Sequence, residues 1–175
     1  MIISENTNRI ALLGFMGSGK TTIGKLLSNK LGYKFVDTDK MIEQSIGLNT
    51  VEIFNQKGEA YFRKIETQIL NQLCQESDLV IATGGGIPTV TKNRLTIQNY
   101  CLSIYLKISP DELLERLTED EISGRPLFPL NDKKVRRLII LREKHYKIAS
   151  LTIVVDNLTP KQIVKTICDY ILTKE

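Results

Sequence analysis

Residues 14–21 read Gly14-Phe15-Met16-Gly17-Ser18-Gly19-Lys20-Thr21, which sets glycines, a lysine and a hydroxyl in the spacing G-x-x-x-x-G-K-[ST]. The physical content of that spacing is a phosphate cradle. Glycines let the backbone turn its N–H groups inward, and a helix N-terminus just behind them adds partial positive charge. Lys20 would reach the β- and γ-phosphates, and the Thr21 hydroxyl is an oxygen ligand for Mg²⁺. Gly17, Ser18, Gly19, Lys20, Thr21 and Thr22 are therefore the expected ATP-binding residues. The loop names a phosphate donor and leaves the acceptor open.

Four further groups bear on the acceptor. Asp37-Thr38-Asp39 follows an apolar run. Asp39 could accept a hydroxyl proton or orient that hydroxyl, and Asp37 could hold a metal-bound water; the plainer alternative is that one of them caps a helix starting near Lys40. Gly84-Gly85-Gly86 ends another apolar run and offers close backbone approach and N–H donors, more than a turn alone requires. In GEAYFRKIETQIL, Arg63 flanks the apolar stripe Phe62, Ile65, Ile69, Leu73. Glu66 either makes a simple i,i+3 pair with Arg63 or holds its guanidinium for a ligand. Over residues 131–149, taken as a helix at about 100° per residue, Val135, Leu138, Ile139, Tyr146 and Ala149 share one side, and Arg142 falls among them. An arginine there keeps its charge and needs an anion: a protein carboxylate, or a carboxylate or phosphate of a ligand. Together these groups imply phosphoryl transfer from ATP to a small, hydroxylated, anionic acceptor.

Such residues need a scaffold that brings them to one edge. Short apolar runs at Arg9–Leu13, Tyr33–Val36, Leu79–Ala82, Cys101–Leu106 and Leu151–Val155 alternate with helical stretches. Ser109-Pro110-Asp111-Glu112 and Thr159-Pro160 are helix starts. The alternation predicts an α/β fold, a five-stranded parallel sheet flanked by helices on both faces. Ligands of such sheets sit at the carboxyl ends of the strands, where Asp37 and Asp39 fall. TEDEISGRPLFPLN, over residues 118–131, breaks the rhythm with Gly124, Pro126 and Pro129, and is read as a mobile lid carrying Arg125.

Composition narrows the classes further. The 175 residues suit a single domain, and 42% hydrophobic with 25% charged residues excludes a disordered or fibrous chain. No apolar run reaches the length of a membrane span, and MIISENTNRI has no leader-like pattern, so neither membrane nor leader is expected. Three scattered cysteines suit a reducing cytoplasm. Any Ser-His-Asp chemistry would have to run through His145, the single histidine. A net charge of +4 fits an anionic small ligand, and with 6% aromatics there is no stacking platform for nucleic acid.

In combination and order, these motifs resemble the shikimate kinase family over roughly residues 9–172. GFMGSGKTTIG is similar to its phosphate loop, DTDKMIEQSIG to its Asp-x-Asp segment, and VEIFNQKGEAYFRKIE to its Gly-Glu…Phe-Arg…Glu segment. IATGGG, GRPL and REKHYKIA resemble its glycine turn, lid and Arg…Tyr…Ala helix. The resemblance implies a P-loop kinase fold and MgATP-dependent phosphorylation of the 3-hydroxyl of shikimate, giving shikimate 3-phosphate and ADP on the way to chorismate and aromatic amino acids. It implies that Asp39, Arg63, Gly84, Gly85, Gly86 and Arg142 bind shikimate, the two arginines gripping its carboxylate, with Glu66 supporting Arg63. Lys20, Asp39 and Arg125 become the catalytic set, Arg125 closing with the lid. Thr21 would ligate one Mg²⁺ directly and Asp37 through water, and Arg116 is the nearest match to an adenine-stacking arginine. A cytoplasmic monomer with ATP and shikimate as partners is expected.

Two other readings stand beside this one. A gluconate-type sugar-acid kinase shares the chemistry but lacks the FR…E, GGG and R…Y…A set. A nucleotide-binding module without turnover is remoter, since a full set of candidate catalytic residues is present. A nucleoside monophosphate kinase would need several lid arginines, where this stretch has Arg125 among Glu119, Asp120 and Glu121.

Overall fold

Strands β1 (Arg9–Leu13), β3 (Leu79–Ala82) and β4 (Leu102–Lys107) are nearly unbroken apolar runs, and almost every residue in them is buried. Runs of that kind belong to a parallel sheet covered on both faces. A computed structural model, which describes residues 8–116 and 131–174, places these three in the centre. The sheet order is β2-β3-β1-β4-β5, with β2 (Lys34–Asp37) and β5 (Leu151–Val154) at the edges. Every pairing is parallel, with Ile10 opposite Val80 on one side and Leu102 on the other. The edge strands are partly exposed, as their mixed composition requires. Five strand boundaries lie one residue from the positions expected from apolar runs alone: both ends of β2, both ends of β4 and the end of β5.

Helices α1 (Lys20–Leu31), α2 (Thr38–Ile46), α3 (Thr50–Leu73), α4 (Thr91–Tyr100), α5 (Pro110–Arg116), α6 (Asp132–Tyr146) and α7 (Pro160–Leu172) flank the sheet. A 3₁₀ turn covers Ile87–Thr89. Local chemistry sets their ends. Capping boxes start α3, through Asn49 and Glu52, and α7, through Thr159 and Gln162. Ser109 Oγ accepts from the Glu112 N–H at 3.2 Å, so α5 begins where its Ser-Pro-Asp-Glu signal puts it. Asn131 caps α6, accepting from the Lys133 N–H at 3.0 Å. Gly58 breaks α3 in two with φ 78°, ψ 170°, a backbone conformation essentially closed to other residues. That break frees the second half, from Glu59 onward, to take its own direction toward the sheet edge.

Because all five strands run one way, their carboxyl ends share one edge. The phosphate loop follows β1, Asp37 ends β2, and the glycine turn follows β3. β1 sits between β3 and β4, where the chain switches sides, and a crevice opens there. The expected lid over 118–131, with Arg125, lies outside the described residues apart from Asn131.

Candidate active site

The loop between β1 and α1 has the geometry its glycines permit. Gly19 caps α1 at φ 91°, ψ 10°, in the left-handed region. Lys20 Nζ donates to the carbonyls of Gly14 at 2.9 Å and Phe15 at 2.7 Å, so the ammonium curls back across the loop. Ser18 Oγ is buried and has no hydrogen-bond partner among the described residues. An orphaned hydroxyl in a loop of N–H donors at a helix N-terminus is suited to an oxyanion.

Thr21 Oγ1 donates to Asp37 Oδ2 at 2.8 Å. The other oxygen of Asp37 accepts from the N–H groups of Asp39 (3.1 Å) and Lys40 (3.4 Å), capping α2. The capping reading of this aspartate holds, and its second oxygen faces the phosphate loop. A hydroxyl and a carboxylate oxygen side by side fit Mg²⁺, which takes one or two protein oxygens and otherwise keeps water and phosphate.

The glycine turn is crowded rather than strained. None of Gly84, Gly85 and Gly86 has a positive φ. A Cβ on Gly84 would strike Asp39 Oδ1 and lie 3.0 Å from Glu66 Oε1, and one on Gly86 would strike the Arg63 guanidinium. Thr38 ties the turn to α2: its Oγ1 accepts from the Gly84 N–H at 2.8 Å and donates to the Ala82 carbonyl at 3.4 Å. The N–H groups of Gly85 and Gly86 donate to no acceptor among the described residues, which leaves them for a ligand.

Arg63 is held from two sides. Its NH1 donates to Glu66 Oε2 at 2.6 Å, and its Nε and NH2 donate to Glu59 Oε1 at 3.2 and 3.0 Å. Burial opposes its charge, but the two carboxylates more than offset that and raise its pKa. Glu66 is 1% exposed, so this is a buried pair and not the surface i,i+3 pair of the plainer reading. Burial lifts the Glu66 pKa to about 7; Asp39 adds to the rise, and Arg63 and Arg142 oppose it.

Arg142 projects from the buried stripe of α6, as its position predicts. Its guanidinium lies 5.5 Å from the Phe15 ring centroid, a cation–π arrangement. Among the described residues it forms no ion pair with a carboxylate, although its charge opposes the rise in the Glu66 pKa. One turn on, Tyr146 donates its hydroxyl to the Gly85 carbonyl at 2.8 Å. His145 is spent elsewhere: its Nδ1 faces Arg94 NH1 at 3.1 Å, and burial with Arg94, Lys144 and Arg142 lowers its pKa.

One cavity of about 440 Å³ gathers most of these groups. Gly17, Ser18, Gly19, Lys20, Thr21 and Thr22 line it, together with Asp37, Asp39 and Gly85. Arg116, Leu158, Pro160 and Ile163 line it too, Arg116 on the β5 side of the sheet and so far from Asp37, which ends the opposite edge strand β2. Arg116 is fixed there by Glu112 (Nε–O 2.9 Å) and the Val155 carbonyl (3.4 Å). Arg63, Glu66, Gly84, Gly86 and Arg142 do not line this cavity; they gather at the glycine turn beside it, Arg142 NH1 lying 3.6 Å from where a Cβ on Gly85 would be. Arg125 lies outside the described residues. Sequence reasoning missed Glu59, Thr38, Phe15 and Tyr146 as parts of this site. Glu59 and Tyr146 carry a signal in retrospect, each one helical turn from an arginine already singled out.

Known proteins resemble the chain over nearly its whole length. A family model described as Shikimate kinase matches residues 16–172. The shikimate kinase of Sulfurihydrogenibium sp. (strain YO3AOP1) is 40% identical over 158 residues, covering 90% of this chain and 94% of that one. The structure of shikimate kinase from Acinetobacter baumannii in complex with shikimate superposes with a TM-score of 0.91 at 34% identity, covering 98% of this chain and 96% of that one. That of shikimate kinase from Aquifex aeolicus gives 0.81 at 33% identity, covering 94% and 96%.

Proposed function

This chain belongs to the shikimate kinase family, and we propose that it transfers the γ-phosphoryl group of ATP to the 3-hydroxyl of shikimate through the residues assembled above. The carrying observation is that Lys20 and Asp39 share one cavity with Gly85, against which Arg142 and Tyr146 are packed.

The loop N–H groups and Lys20 take the donor's phosphates. To do so the ammonium leaves the Gly14 and Phe15 carbonyls, a small motion for a lysine already at the loop's mouth. Arg116 and Pro160 flank the adenine end. The acceptor's carboxylate is gripped by Arg63 and Arg142, its ring lies on the glycine turn, and the free Gly85 and Gly86 N–H groups serve its oxygens. Asp39 orients the reacting hydroxyl and receives its proton; a loose transition state asks for little more. Thr21 and Asp37 would hold one Mg²⁺, which when bound neutralises charge on the phosphates. Arg125 completes the set in this reading on the strength of the GRPL resemblance, closing over the transferring group and helping to exclude water. The same reading takes the protein as a monomer, and as cytoplasmic in keeping with its three free cysteines, of which Cys74 and Cys101 hold their Sγ atoms 3.8 Å apart.

The test is ADP release from MgATP with shikimate, gluconate, AMP or no acceptor. Turnover with shikimate alone is expected. Turnover with gluconate or AMP instead would keep the phosphate loop and overturn the roles given to Arg63, Arg142 and the glycine turn.

A further inference from the structure

We propose that Tyr146 is a positioning residue that presets the acceptor surface by holding the Gly85–Gly86 peptide and the Arg142 guanidinium in one arrangement. This rests on the glycine turn and Arg142 being where the acceptor binds.

The turn is closed by the Ile87 N–H, which donates to the Gly84 carbonyl at 3.0 Å, and is tied to its surroundings at both ends. Thr38 holds its start through the Gly84 N–H. Thr89 holds its end, donating from N–H (3.0 Å) and Oγ1 (2.6 Å) to the Gly86 carbonyl. Between those anchors lies the Gly85–Gly86 peptide. Its N–H is unpaired among the described residues, and its carbonyl accepts from the Tyr146 hydroxyl at 2.8 Å. A peptide flanked by two glycines turns over at little steric cost. The hydroxyl removes that freedom. Because the peptide is planar and trans, pointing the Gly85 carbonyl at Tyr146 sends the Gly86 N–H to the opposite side. A flipped peptide would present a carbonyl oxygen where a donor is needed, and an anionic acceptor would be repelled.

Tyr146 is built to act as such a pin. It is 1% exposed, and its ring packs on Tyr105 with centroids 5.1 Å apart, which locks its direction. Burial pushes its pKa up to about 12, with Arg142 and Arg63 pulling the other way, so near neutral pH it remains a donor. A Cβ on Gly85 would lie 3.6 Å from both Arg142 NH1 and Tyr146 Oη, so guanidinium, hydroxyl and peptide converge on one point. Tyr146 itself does not line the cavity; it acts through Gly85 and Arg142.

The experiment compares wild type with Tyr146→Phe, which removes one oxygen and keeps the ring. The KM values for shikimate and ATP are measured by ADP release, and the amide signals of Gly85 and Gly86 are followed in ¹⁵N-labelled protein without ligand. The expected result is a roughly ten-fold rise in shikimate KM, an ATP KM within about two-fold, and Gly85 and Gly86 amide signals that shift or broaden while most others stay. Equal rises in both KM values, or an unchanged shikimate KM with unmoved glycine amides, would overturn it. A Phe variant that did not fold would make the hydroxyl a structural group and overturn it too. Failure of wild type to use shikimate would count against the proposed function, and the amide signals would still decide the role of Tyr146.

Discussion

Adding one methyl group to the glycine turn, by Gly86→Ala, should separate acceptor binding from donor binding. The backbone at Gly86 has φ −91°, ψ −19°, which alanine adopts freely, so the effect is steric. The new Cβ would lie 2.5 Å from Arg63 Cζ and 2.7 Å from its NH2, against an ordinary contact of about 3.5–4.0 Å. The guanidinium must therefore retreat by roughly 1 Å or more. It cannot do so freely, because Glu66 holds NH1 at 2.6 Å and Glu59 holds Nε and NH2. Breaking the Glu66 contact costs about 1.5–3 kcal/mol, the worth of a charge-assisted hydrogen bond. The loss stops near there because Glu66, with its pKa lifted to about 7, can take a proton instead of remaining a bare buried charge. At about 2–4 °C per kcal/mol for a chain of this size, the melting temperature should fall by roughly 3–12 °C. A misplaced Arg63 forfeits a similar energy toward the acceptor's carboxylate, so shikimate KM should rise roughly ten- to hundred-fold, with ATP KM nearly unchanged. Coupled ADP release and a thermal melt read both numbers. A shikimate KM within two-fold of wild type would refute the argument that Arg63 must occupy that space to bind the acceptor.

Other perturbations probe the remaining parts. Lys20→Met should lower turnover by at least about 10²-fold while the melting temperature stays within a few degrees, since the described Nζ contacts tie only the loop's own carbonyls of Gly14 and Phe15 and no core element; near-normal rates would remove Lys20 from the chemistry. Arg116→Ala should raise ATP KM and leave shikimate KM alone, because Arg116 lies on the β5 side of the sheet and so far from Asp37, at the end of β2; the opposite pattern would misplace the adenine. Glu66 gives a pH signature. Its folded pKa near 7 exceeds the ordinary 4.5, so the folded state holds this proton more tightly. The associated stability is full below about pH 4.5 and is lost as pH rises through about 7, a difference on the order of 3 kcal/mol. Denaturant melts of Glu66→Gln against wild type between pH 5 and 8 should show that slope flattened in the variant, and parallel slopes would contradict the assignment.

Much of this site was legible before any coordinates, and the legible parts share a cause. The phosphate loop is contiguous, so its glycines, its lysine and the helix behind it are specified within a few residues. The capping boxes at Asn49 and Thr159 are equally local, as is the Asp37 cap. The apolar runs of β1, β3 and β4 announce burial on both faces because, Ser103 and the terminal Arg9 and Lys107 apart, nothing in them suits solvent. Helical periodicity even put Arg142 on the inner side of α6, since a side chain's direction follows from its place in the helix.

The amino-acid sequence alone thus determined the phosphate cradle, the strand–helix alternation and a short roster of charged residues in need of partners. Tertiary structure decided the partners. The order β2-β3-β1 brings Asp39, just after one strand, beside Gly84, just after another, although they lie 45 positions apart in the chain. Glu66 became a buried carboxylate titrating near neutrality because α3 packs it against that same turn. The glycines at 84 and 86 prove to be space for Asp39, Glu66 and Arg63, while Tyr146 and Phe15 prove to be the supports of Gly85 and Arg142. Periodicity states which side of an element faces inward. What it meets there depends on which strands lie side by side, and that is settled by burial over the whole chain rather than within any one segment.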